Sequence, residues 1–73
     1  MTEPGIYQHF KGGRYRVLGV ARHSETLEPM VVYLNAKGEL WVRPEAMFNE
    51  MVNGAPRFTL IQRIDAHLIL PEE

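Results

Sequence analysis

The sequence predicts a mainly β fold, a small antiparallel five-stranded barrel with one short helix before the last strand. Three observations point there. Short runs of β-forming residues alternate with glycine-bearing turns. One stripe of helical period, Met47, Phe48, Met51 and Val52, follows Pro44. The chain has 73 residues, which leaves room for a single domain. The barrel is expected over residues 5–62, with 63–73 as a tail or strand extension at a possible contact between copies of the chain.

The elements follow in order. Gly5 to Phe10 is a first strand, ended by Lys11-Gly12-Gly13, where glycine accepts a positive φ. Arg14 to His23 is a longer second strand. Its apolar residues fall on both faces by simple alternation, with Leu18 and Val20 opposite Tyr15, Val17 and Ala21. Gly19 in the middle marks a sharp bend. Ser24 to Pro29 is a polar turn, Met30 to Asn35 a third strand, and Asn35-Ala36-Lys37-Gly38 a second glycine turn. Glu39 to Arg43 is a fourth strand. Pro44 suits a first helical position, Glu45 lies where the helix dipole favours an anion, and Asn53-Gly54 reads as a C-terminal stop. A helix of about two turns over Pro44 to Val52 results. Arg57 to Gln62 is the fifth strand. Ile64, Ala66, Leu68 and Leu70 alternate beyond it, either continuing that strand or packing on another copy. Five strands with a helical turn before the last amount to an SH3-like barrel.

Composition excludes several function classes. Hydrophobic residues are 45%, charged residues 23%, and cysteine is absent, so there is no disulfide framework, thiolate zinc site or cysteine nucleophile. No apolar run approaches about 20 residues, and Met1 to Gly5 lacks the pattern of a secretory leader, so a cytoplasmic protein with no membrane segment is expected. The net charge of −1 hides an asymmetry: residues 9–23 carry Lys11, Arg14, Arg16 and Arg22 and no acid. Such a stretch suits a local anion better than bulk nucleic acid.

The pieces G-x-Y-x-H-F-K-G, A-x-H-S-E-T, V-x-Y, W-V-R-P-x-x-M-F and P-R-F occur in this order between Gly5 and Ile61. With that series the chain resembles domain-of-unknown-function family 1653, small bacterial proteins of SH3-like barrel fold. The resemblance covers about four fifths of the chain. It implies the fold and no activity, and the stretch from Arg63 to Glu73 lies outside it.

Of the residues carrying the resemblance, Gly12 is explained by a turn, and Phe10, Tyr15, Met47, Phe48 and Phe58 by packing. Left over are Tyr7, His9, Lys11, His23, Ser24, Glu25, Tyr33, Trp41 and Arg43, the candidate binding residues. Strand parity puts Tyr7 with His9, Tyr33 with Asn35, and Trp41 with Arg43. If those faces coincide, rings and a guanidinium line one patch suited to a protein segment or a small anionic group. In the structural alternative Trp41 closes the barrel while Tyr33 and Arg43 bond internally. His23-Ser24-Glu25-Thr26 contains a base, a hydroxyl and a carboxylate. Chain neighbours rarely converge as a triad, and a turn bonded to its own backbone is the simpler reading. His9, His23 and His67 have no metal-ligand spacing, so no metal or cofactor is expected. Two alternatives remain, a single-stranded nucleic-acid contact through Lys11, Arg14, Arg16 and Arg22, and an enzyme using His9, His23 or Glu25.

Overall fold

Two turns of one design shape the sheet. His9 N–H donates to Gly13 O (2.7 Å) and Gly12 N–H to His9 O (2.8 Å). Asn35 N–H donates to Glu39 O (3.1 Å) and Gly38 N–H to Asn35 O (3.0 Å). Each is a three-residue hairpin loop closed by a glycine at positive φ, Gly12 at 110° and Gly38 at 80°. The computed structural model describes residues 2–64. Its strands are β1 (Gly5–His9), β2 (Arg14–Arg22), β3 (Pro29–Leu34), β4 (Leu40–Pro44), β5 (Met51–Val52), β6 (Ala55–Pro56) and β7 (Phe58–Arg63), with α1 (Glu45–Phe48) after β4. Every long strand agrees with the sequence expectation to within one residue at each end.

The main sheet has five antiparallel strands in the order β4-β3-β2-β1-β7, and β5-β6 is a separate small hairpin. The expected closed barrel is not formed among the described residues: β4 and β7 are the two edges of the sheet. Phe48 fills the inner side instead. It is 1% exposed and stacks on Phe58 at 4.0 Å with the rings 2° apart, while Tyr7 meets it edge-on at 5.4 Å. Val17, Val31 and Tyr33 complete the core. No helix among the described residues is long and apolar enough to cross a membrane.

Three expectations are corrected. First, the helix is one turn, not two. Pro44 ends β4 and caps α1 at φ −52°, ψ 135°, and Asn53-Gly54 does not stop a helix but turns the β5–β6 hairpin. Both turn residues have positive φ, 51° and 83°, as the Asn-Gly hairpin turn requires. Met47 and Met51 are therefore exposed, leaving Phe48 as the buried residue of α1. Second, the β2–β3 register shifts between Val17 and Gly19: Val17 pairs with Tyr33, and Val20 with Val31. The extra residue rotates the second half of β2, so Val20 joins Val17 on the inner face against the core. Third, Phe10 is 41% exposed and not a core residue. Of the proposed tail, only Arg63 and Ile64 are described; Arg63 ends β7 and Ile64 N–H donates to Pro4 O (3.1 Å). Residues 65–73, with Leu68 to Leu70 and His67, lie outside the described residues.

Candidate functional site

Register decides which side chains share a face, because directly paired residues project to the same side. Tyr7 pairs with Tyr15, Val17 with Tyr33, Tyr33 with Trp41, Val31 with Arg43 and His9 with Phe58. Tyr7, His9, Tyr33, Trp41 and Arg43 therefore occupy one face, the inner one.

Within that face burial separates two classes. Tyr7 and Tyr33 are 7% and 6% exposed and belong to the core. The Tyr7 hydroxyl donates to Glu3 O (2.7 Å), and burial raises its pKa, which keeps it protonated. Trp41, by contrast, is 52% exposed. Its position at the sheet edge, two residues after the Asn35–Glu39 turn, leaves the indole uncovered among the described residues, so it does not close the inner face there. Arg43, two residues on, is half-buried and makes no ion pair among the described residues.

His9 ends β1 at the first turn, three strands from Trp41 in the sheet order. Its ring lies 4.6 Å from Phe10, 4.9 Å from Phe58 and 6.3 Å from Tyr15. Nδ1 accepts the Lys11 N–H (3.1 Å), which leaves Nε2 to carry the proton of the neutral ring. The pKa of His9 is lowered, first by burial and then by the charges of Arg57, Arg43 and Lys11. Lys11 itself stands 5.7 Å from the centre of the Phe10 ring. Among the described residues, Arg57 alone of those three cations has a carboxylate partner, Glu50 at 3.0 Å. A shallow cavity of about 400 Å³ opens beside His9, lined by Gln8, Phe10, Ala55, Pro56, Thr59 and Ile61.

His23, Ser24 and Glu25 are not part of this cluster. They follow the far end of β2, about 25 Å of strand from the first turn. His23 Nδ1 accepts the N–H groups of Glu25 (3.1 Å) and Thr26 (3.4 Å), so the imidazole holds its own turn. The Ser24 and Glu25 side chains are exposed there. The basic stretch is divided as well. Arg14 and Arg16 pair with Gln8 and Ile6 on the outer face, and Arg22 donates to Leu27 O (3.1 Å) in the distant turn.

The sequence explains Tyr15 by the need of a small core for aromatic area and gives no role to Arg57, which lies just before β7. Arg57 is placed by backbone bonds on either side: its N–H donates to Glu50 O (2.9 Å) and its carbonyl accepts from Phe10 N–H (2.9 Å). The P-R-F piece is the sequence signal that could have found it.

The pattern of a family described as protein of unknown function, DUF1653, matches residues 5–60. The chain belongs to the DUF1653 family. Its fold is similar to the crystal structure of a DUF1653 protein from Bordetella bronchiseptica, at 33% identity and a TM-score of 0.78, over 88% of this chain and 92% of that one. No curated protein matches. The DUF1653 match ends at Leu60, so His9, Lys11, Trp41, Arg43 and Arg57 all fall inside it.

Proposed function

We propose that this chain is a non-enzymatic binding module of SH3-like design, which holds a carboxylate- or phosphate-bearing protein segment against His9, Lys11, Trp41 and Arg43. The design is supported by the strand order β4-β3-β2-β1-β7 with a helical turn before the last strand. The observation that carries the ligand class is geometric: Lys11 stands 5.7 Å from the Phe10 ring that adjoins His9, and among the described residues neither Lys11 nor Arg43 has the carboxylate partner that Arg57 has in Glu50. Rings beside unpaired cations suit a partner that is anionic at one point and apolar nearby. The nucleic-acid alternative draws less support, since Arg14, Arg16 and Arg22 are not gathered. The enzyme reading lacks the convergence it needs, because His23 is committed to its turn.

The test is an NMR titration with inorganic phosphate and with a short glutamate-rich peptide, following the His9 ring and Trp41 indole signals. A bound anion offsets the surrounding positive charge, so the His9 pKa is expected to rise and affinity to strengthen as pH falls toward 6. Arg43→Ala is expected to weaken binding about tenfold, the loss of one charge-assisted hydrogen bond. Unmoved His9 and Trp41 signals with both probes at millimolar concentration would exclude the reading.

A further inference from the structure

The free edge of β4 carries three consecutive exposed apolar side chains, Leu40 at 65%, Trp41 at 52% and Val42 at 58%. Open apolar edges are liabilities that folded proteins blunt with charge, proline or a covering element. Here no described residue pairs with that edge.

The hydrogen-bonding phase of β4 follows from its turn. Asn35 N–H bonds Glu39 O, so that pair closes the hairpin. Antiparallel ladders alternate, and with Leu34 opposite Leu40, Tyr33 opposite Trp41 and Val31 opposite Arg43, the main-chain groups of Trp41 and Arg43 face β3. Those of Leu40, Val42 and Pro44 face outward. Pro44 fits this phase, since a residue without N–H is tolerated on the open side of an edge strand.

We propose that β4 pairs antiparallel with β4 of a second copy, about a two-fold axis through Val42. That register is self-complementary in both main chain and side chains. Val42 exchanges two N–H···O bonds with its counterpart, and each Leu40 N–H donates to the partner's Pro44 carbonyl, while the Leu40 carbonyl, opposite a residue without N–H, stays open to water. On the inner face Trp41 stands opposite the partner's Arg43, the ring against the unpaired guanidinium, twice per dimer. On the outer face Val42 meets Val42, and Leu40 meets Pro44. The two five-stranded sheets become one of ten strands, and the β4 edges of both copies are covered by a single symmetric contact, with β7 left as the edge at each end. The dimer shares Trp41 and Arg43 with the anion reading but rests on the geometry of the β4 edge alone.

An interface of this size belongs to the weak class, so the test spans roughly 10 μM to 1 mM. Sedimentation is combined with amide hydrogen exchange across that range. Expected are a concentration-dependent dimer and a concentration-dependent slowing of Leu40 and Val42 exchange by about tenfold or more, since neither amide has an acceptor among the described residues. Val42→Pro removes the outward N–H and leaves the β3 ladder intact, while Val42→Lys sets two charges against each other. Either is expected to weaken dimerisation at least about tenfold with unchanged circular dichroism. A monomer throughout with fast Leu40 and Val42 exchange overturns the proposal. So does protection of those amides at monomer mass, which would show another segment of the chain on the edge. A dimer that Val42→Pro leaves intact would also overturn it. Repeating the anion titration on Val42→Pro, which keeps His9 and Arg43, separates failure of the dimer from failure of the binding site.

Discussion

Glu45 shows how a single side chain ties distant parts together. Its Oε2 accepts the N–H of Thr2 (2.6 Å) and the Thr2 hydroxyl (2.9 Å), while Asn49 Nδ2 donates to the same hydroxyl (3.1 Å). The two Thr2 bonds lower the Glu45 pKa. A carboxylate whose pKa is depressed by folding stabilises the protein above its unfolded pKa, and that contribution is lost as pH falls through the folded value. Glu45→Gln is therefore expected to lower the melting temperature at pH 7 by about 3–6 °C, with the difference from the parent shrinking below pH 4. Thermal melts at both pH values measure it. The sequence shows Glu45 only as an acid in a first helical turn. Thr2 lies 43 positions away, and no local pattern connects them. His9 is similar: parity places it on the inner face, but the position of Arg57 depends on the β5–β6 hairpin, which the helical reading of Met51 and Val52 conceals.

At the scale of elements, the turns were the most legible part, because their chemistry is local. Lys11-Gly12-Gly13 and Lys37-Gly38 show in the sequence what their backbones do. The β2–β3 turn is less apparent. There Leu27, which is exposed, adopts φ 64° where glycine or asparagine is usual. Replacing it by Gly relieves that strain at no packing cost. Leu27→Gly is expected to gain about 0.5–1 kcal/mol, read as a raised urea midpoint at constant slope. The bulge in β2 could not be read by counting, since one extra residue inverts every later side chain. Gly19 signalled a bend, and the cross-strand pairing with β3 shows where the inversion falls.

At the scale of the whole molecule, the core among the described residues is six side chains, and Phe48 is the largest of those fully buried. Truncating a buried Phe to Ala costs about 3–5 kcal/mol, as much as a core of this size supplies in total. Phe48→Ala is expected to be unfolded at 25 °C by circular dichroism, and Phe48→Leu folded with a lower melting temperature. The mainly β class and the limits of the five long strands were legible because alternation and turn residues are enough to set them. Closure was not, because it depends on how one aromatic side chain from α1 fills the interior. The pairing of β1 with β7 joins the first strand to the last, with Gly5 opposite Arg63. Phe58, the stacking partner of Phe48, is on that final strand. A nascent chain leaving the ribosome can thus build its local hairpins early, but it cannot seal its interior until the last strand has emerged.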